Sequence, residues 1–544
     1  MLNSFFNSQT KTISSAAIIL AISALISRVL GILRDWLLAK TFGAGPELDV
    51  YFAAFRIPDL VYNILIIGGF TVAFLPLFSE YFSKNKEEAW QFTNNVLNIF
   101  LFSLILLSFI LFIFAPPLIK LITPGFSVEQ LVKTVFLTRL MFLSPILLGL
   151  SAIFSGILQY FNRFLVYSFC PVLYNLGIIL GIIFFSPSLG ILGVTIGVIL
   201  GAFFHFLIQV PSAISCGFKY QPIFNFKNFG IKKVFLLMLP RTFAAAGSQI
   251  NLIVITAIAS TLTAGSLSVF NLANNLQNLP VGIIGVSFAT AAFPVLSRSW
   301  AVLNKEEFLQ KLSSTFRQIL YFVVPISFLM FILREKVVEI VLKHGQFSQG
   351  ASQLTSASLG LFSFGIFALA LIPLLSRAFF SFQDTKTPTL IAILAMALNI
   401  ALSFYFVWLF HFPNVFSNFL MKNLSFLTNG EMSVLGLPLA FSIGAVFQFV
   451  LLMVFLYRRI GDFKLKEILT SFLKILIAGI LMVTGVYPIL YFVVSSAAVQ
   501  TFWGIFWQTL LIGTAGFLIY IVATYFLNSP EIKTILRRFF HEKH

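Results

Sequence analysis

The chain has 544 residues, 59% of them hydrophobic and only 10% charged, with a mean hydropathy of +0.99. A water-soluble domain of this size carries far more charge, so soluble enzymes and soluble binding modules are excluded. The formal net charge of +17 raises nucleic acid as a partner, but the basic residues are spread among the short connections between apolar runs, as topology signals and lipid-headgroup contacts are.

Runs of about 20 apolar residues cross a bilayer as helices, whereas the strands of a barrel would alternate. In chain order, spans are expected at about 13–40, 46–82, 89–115, 128–160, 166–186, 190–214, 233–260, 266–297, 312–333, 352–382, 387–410, 433–457, 468–494 and 499–528. The first run follows a polar flank, Asn3 to Lys11, and is too long for a signal-peptide core, so it counts as a span. The fold class is all-α polytopic membrane protein with about fourteen helices. Cys170 and Cys216 supply neither a disulfide framework nor metal-ligand spacing.

Most basic residues outside the spans fall on the side shared by both termini and the even-numbered loops, among them Lys219, Lys227, Lys232, Arg298, Lys305, Arg458 and Arg459. The positive-inside rule then places both termini in the cytoplasm. Span six (ILGVTIGVILGAFFHFLI from Ile191) aligns without a gap on span twelve (VLGLPLAFSIGAVFQFVL from Val434), pairing Gly193 with Gly436 and Gly201 with Gly444. AFLPLFSE (Ala73 to Glu80) and AAFPVLSR (Ala291 to Arg298) echo each other at the same distance of six spans. Six is even, so the halves share one orientation, as in parallel-repeat transporters. The expected division is 1–214 (spans one to six), a cytoplasmic loop at 215–232, 233–460 (spans seven to twelve), and 461–544, which holds two appended helices and a basic tail.

The unusual residues lie inside the spans. Arg28 and Arg34 sit in the first, and an arginine at the bilayer centre costs roughly 2.5–3.5 kcal/mol on insertion scales, so such residues face a protein interior or a watery cavity. Asp35 lies two helical turns beyond Arg28, too far for direct contact, and adjacent to Arg34, which it should not face; it is expected to trim the field without neutralising both arginines. On span two, Asp49 and Arg56 are seven apart and Asp59 follows Arg56 at i+3. Arg241 follows Pro240 in span seven, and Arg377 lies close enough to Asp384 and Lys386 for a loop-bracing network. Arginine suits an anion site because its charge is permanent and its fork grips phosphate through two parallel hydrogen bonds. The competing structural reading has the arginines satisfying carbonyls at broken helices or pairing with Asp35, Asp49 and Asp59; for Arg56 both readings stand, and Arg139 and Arg377 are expected to be structural. His205 is expected to be a helix-packing hydrogen bonder. With 18 Asp and Glu in all and no cluster of carboxylates, metal ligands or a nucleophile–base pair outside the spans, neither a catalytic nor a metal site is expected.

Several segments in order resemble the MurJ (MviN) lipid II flippases of the MOP transporter superfamily: SRVLGILRD, FGAGPELDVYFAAFRIPDL, GGFTVAFLPLFSEY, PPLIKLITPGF, GILQYFNRF, PVGIIGVSFATAAFPVLSR and RAFFSFQDTKTP. The resemblance implies two six-helix lobes around a central cavity and a groove for the lipid tail at the last two helices. It implies as substrate a disaccharide-peptide on a polyprenyl pyrophosphate, moved from the inner to the outer leaflet of the bacterial cytoplasmic membrane, with Arg28, Arg34 and Asp35 as the important charges of the first helix. Two departures matter. The span-eight motif reads ANNL, with Asn275 where the family often has arginine, and Tyr62 and Asn63 stand where many relatives have a basic pair. Arg241 and Arg56 are expected to carry more of the anion binding in consequence. Spans seven and eleven contain no Asp or Glu, which argues against sodium coupling as some relatives use it; membrane potential is the expected drive, with no cofactor. Membrane lipids and cell-wall synthesis proteins are candidate partners of an expected monomer. The alternatives are a flippase for another polyprenyl-pyrophosphate-linked glycan and, further off, a cation-coupled drug exporter, whose cationic cargo this arginine set would repel.

Overall fold

The computed structural model describes residues 13–64, 70–424, 432–496 and 501–533. It is helical throughout, with no strand among the described residues. Within a bilayer a helix is the one open-ended structure that satisfies its own backbone groups, which is the reason a chain so apolar takes this form. Two compact units are distinguished, Met1–Ser268 and Val269–His544.

The first unit holds α1 (Ile13–Phe42), α2 (Pro46–Val61), α3 (Thr71–Lys84), α4 (Lys86–Ile113), α5 (Ala115–Ile122), α6 (Val128–Met141), α7 (Leu143–Tyr160), α8 (Phe164–Leu180), the one-turn α9 (Ser186–Leu189), α10 (Ile191–Leu207), α11 (Gln209–Ser215) and α12 (Phe229–Ser260). Its core is aromatic: Phe74 stacks on Phe78 with ring centroids 5.5 Å apart, and Phe70 lies 4.6 Å from Phe100. α13 (Ser266–Pro280) leads into the second unit, which continues with α14 (Ser287–Ala301), α15 (Lys305–Ile332), α16 (Arg334–Val341), α17 (Gln349–Ser363), α18 (Ile366–Ser381), α19 (Lys386–His411), α20 (Val415–Leu424), α21 (Gly436–Ile460), α22 (Leu465–Ser496) and α23 (Phe502–Phe526). The appended helices dock on α15 through Tyr520, whose hydroxyl donates to the Tyr321 carbonyl at 2.8 Å, and through Arg317, which pairs with Glu467 and Glu531.

Among the described residues, ten helices are long and apolar enough to cross a membrane, or eleven when α17 and α18, bent by 47° at their junction, count as one span. They match expected spans three to six and eight to fourteen. Span two includes residues outside the described set, and spans one and seven, which form α1 and α12, include residues whose side chains lie outside it.

The repeat is written into helix lengths and caps. Asn85 accepts from the N–H groups of Glu87 and Glu88 at the start of the 28-residue α4, and Asn304 accepts from Glu307 at the start of the 28-residue α15. Both starts read Asn-Lys-Glu-Glu. Each long helix is followed by one of eight residues, α5 or α16, and then by a serine-capped helix, with Ser127 before α6 and Ser348 before α17. A side-chain acceptor at the cap and acidic residues in the first turn favour a helix start for the same physical reason: both meet the unpaired N–H groups there.

Candidate functional site

The charged residues of α1 are held by a polar seam against α8. Ser23 donates to Ser168 at 2.9 Å, and the Asn175 amide donates to the backbone and side-chain oxygens of Ser27, each at 3.2 Å. One step further along α1, Arg34 donates from Nη1 to Asn175 Oδ1 at 3.2 Å and from Nε and Nη2 to Asp35 Oδ1 at 3.0 and 2.8 Å. The expectation that Arg34 and Asp35 would not meet is corrected. Adjacent Cβ atoms do diverge on a helix, but the arginine stem is long enough to bring its head back to the neighbouring carboxylate. Arg34 remains 24% exposed at its side chain. Arg28, one position off the serine face, is half-buried and makes no ion pair among the described residues.

On α2, Arg56 is buried and donates from Nε to Thr256 Oγ1 of α12 at 2.7 Å. Asp49 is buried as well, accepting from the Gly265 N–H at 2.6 Å and from the N–H and hydroxyl of Ser268 at 2.8 and 2.6 Å. It therefore caps the start of α13 from another helix, an anion at a helix N-terminus. Neither Asp49 nor Arg56 uses the other, so both brace the unit. Asp59 lines a cavity of about 160 Å³ within the first unit, together with Tyr62, Ser144, Tyr174 and His205. His205 Nδ1 lies 2.6 Å from Ser151 Oγ, which makes it the packing hydrogen bonder expected.

Arg241 lies on α12, but its side chain is outside the described residues. In the second unit Asn275 is half-buried on α13. The expected Arg377–Asp384 bracing is corrected: Arg377 donates to the Val286 carbonyl at 3.2 Å, and Asp384 accepts from the N–H and hydroxyl of Thr387 at 3.0 and 2.7 Å. Val286 closes a wide π-helical turn, Val281–Val286, and its carbonyl also accepts from the Thr290 hydroxyl at 2.6 Å. Arg139 does as Arg377 does at the end of α4, donating to the Phe112 carbonyl at 3.1 Å and stacking on that ring. Asp384 is outside the spans; burial pushes its carboxyl up, but the bonds from Thr387, the Lys386 N–H and the Arg459 charge bring it below the usual carboxylate range.

Asn175, Thr256, Gly265 and Ser268 were not singled out from the sequence. Asn175 did carry a signal, an amide in an apolar span. Its partners lie 141 and 148 positions away, and no spacing rule reaches that far.

A helical chain with at least ten apolar spans, a six-span repeat and arginines set into its membrane helices is a multi-pass membrane transporter. The family model described as lipid II flippase MurJ matches residues 38–507. A probable lipid II flippase MurJ of Buchnera aphidicola subsp. Schizaphis graminum (strain Sg) is 31% identical over 526 residues, covering 95% of this chain and 97% of its own. The chain belongs to the MurJ lipid II flippase family, whose members are transporters and not enzymes. A solved structure titled lipid II flippase MurJ, inward closed conformation, has a TM-score of 0.74 at 26% identity, covering 96% of this chain and 99% of that one. An inward-facing multidrug resistance MATE transporter of the MOP superfamily shares the fold alone, with a TM-score of 0.63 at 15% identity over 82% of this chain and 99% of its own.

Proposed function

We propose that this protein moves a polyprenyl-pyrophosphate-linked peptidoglycan precursor across the bacterial cytoplasmic membrane by alternating access, with the pyrophosphate held by Arg28 and Arg34. The observation that carries the arginine assignment is the contrast between them: Arg34 is oriented by Asp35 and Asn175 while Arg28, two turns before Asp35, has no ion-pair partner among the described residues. A permanent cation in a membrane span without a carboxylate of its own is suited to an anionic substrate. Arg241 meets the incoming pyrophosphate first, and Asn275 leaves the second repeat half less basic than in many relatives. Arg56, engaged with Thr256, supports the site from behind.

In this reading the lobes at 1–214 and 233–460 rock about the 215–232 loop, and the lipid tail follows the groove of the last two helices. Both termini stay in the cytoplasm. Moving a net charge of about −2 outward across about 100 mV, inside negative, releases roughly 4–5 kcal/mol, enough to bias the cycle without a bound cofactor or sodium. Proteoliposomes with an imposed potential test the drive: flipping should accelerate when the interior is negative, and equal rates at zero and negative potential would remove it. Rescue of cells depleted of their lipid II flippase separates this substrate from other polyprenyl-linked glycans.

A further inference from the structure

The connection from α11 to α12 has no helix of its own, yet three buried asparagines of α4 hold it in place. Asn94 accepts from the Gln221 N–H and donates to the Lys219 carbonyl, both at 2.9 Å. Asn95 brackets Asn225, accepting from its N–H at 2.7 Å and donating to its carbonyl at 2.9 Å. Asn98 donates to the carbonyls of Gln221 and Ile223 at 2.9 and 3.1 Å. The amides satisfy the backbone of a segment that turns on itself, the Ile223 N–H donating to the Gln221 carbonyl at 2.8 Å. Tyr220, Phe224 and Phe226 are 62%, 55% and 62% exposed, and Phe229 is 74% exposed. Lys219, just before Tyr220, and Lys227, between Phe226 and Phe229, are exposed as well, and residues 215–232 contain no acidic side chain.

Beside this strap lies an apolar groove of about 610 Å³ between α4, α7, α10 and α11, lined by Leu97, Leu150, Phe154, Phe206 and Ile214 among others, with Lys219 its one charged residue. The strap joins two membrane helices and so lies at the bilayer boundary, where aromatic rings settle and where basic residues draw anionic headgroups. Exposed aromatics alone would fit any lipid. The lysines without acidic neighbours add the preference for negative charge, and the groove has the apolar lining an acyl chain requires.

We propose that strap and groove form a binding site for one anionic phospholipid, its headgroup phosphate at Lys219, the charged residue of the groove, its acyl chain in the groove, and Lys227 adding positive charge to the same strap. The full-length protein, purified in detergent, is incubated with equal amounts of dioleoylphosphatidylglycerol and dioleoylphosphatidylcholine, and the retained lipid is counted by native mass spectrometry. The glycerol lipid should be retained several-fold over the choline lipid. Lys219→Gln and Lys227→Gln should each weaken its retention by about fivefold, with an unchanged melting temperature because both side chains are exposed. Ile214→Trp, which fills the groove, should weaken it too. Equal retention of the two lipids, or an undiminished preference in the double lysine variant, would overturn the proposal. So would displacement of the bound lipid by a polyprenyl phosphate that excess phosphatidylglycerol cannot match, since the groove would then belong to the substrate's tail.

Discussion

Arg34 holds Asp35, its immediate neighbour in sequence, through two donors, and its third donor reaches Asn175 on α8. One helix thus carries two arginines in different circumstances: Arg34 fixed in orientation and partly balanced, and Arg28 half-buried and unpaired among the described residues. Preset geometry and available charge are separate requirements of an anion site, and here they fall on separate residues.

Arg28→Ala should therefore abolish flipping with little change in melting temperature, because no described partner is left behind. Asp35→Asn should lower stability by about 1–3 kcal/mol, since it leaves a partly buried guanidinium without its carboxylate. Flipping in proteoliposomes and melting in one detergent check both. Transport by Arg28→Ala at the wild-type rate would end the division of roles.

Asp49 serves as a cap supplied from outside the helix it caps. Three short hydrogen bonds converge on its carboxylate from Gly265 and Ser268. Asp49→Ala should cost about 2–4 kcal/mol, because the Gly265 and Ser268 N–H groups would lose their acceptor in a site too enclosed for water. Asp49→Asn should cost less, since the amide oxygen still accepts. Comparable melting temperatures for the wild type and both variants would show that the cap carries no stability.

Span positions were legible because hydropathy is local: twenty apolar residues in a row announce a membrane helix wherever they pack. The repeat was legible at Gly193 and Gly436 for the same reason, although the matching Asn-Lys-Glu-Glu starts of α4 and α15 were open to reading and went unused. What could not be read was partnership. Arg56 lies three residues before Asp59 and also bonds Thr256, 200 positions away, and Arg377 passes over Asp384 for the Val286 carbonyl, 91 positions away. Such choices follow from where a long side chain finds an acceptor in three dimensions.

Asp384 makes a pH prediction. Its carboxyl lies below the ordinary carboxylate range, so the stability it contributes is fully present above the unfolded value and is lost as pH falls through the lower folded one. Asp384→Ala should cost about 0.5–2 kcal/mol at pH 7 through loss of the bonds from Thr387 at the start of α19. The gap between variant and wild type should close as acid protonates Asp384 in the wild type, below the ordinary carboxylate range. Melting curves at neutral and acid pH measure the gap, and a constant difference would place the effect elsewhere.

The paired glycines test whether the repeat is a packing requirement as well as a sequence pattern. A Cβ at Gly193 would come within 2.5 Å of the Phe185 and Ser186 backbone, and one at Gly436 within 2.6 Å of Val407 N. In each unit the obstacle is backbone, which cannot rotate aside as a side chain can. Small residues let membrane helices approach this closely, and helix pairs in lipid depend on such packing because lipid supplies no hydrophobic drive between them. Gly193→Ala and Gly436→Ala should therefore each destabilise by about 1–3 kcal/mol. Gly513 on α23 has open space where a Cβ would stand, so Gly513→Ala should leave the melting temperature unchanged or slightly raised. Equal behaviour of all three variants would mean that the helices can separate at little cost, and that the shared glycines reflect ancestry without a continuing steric demand.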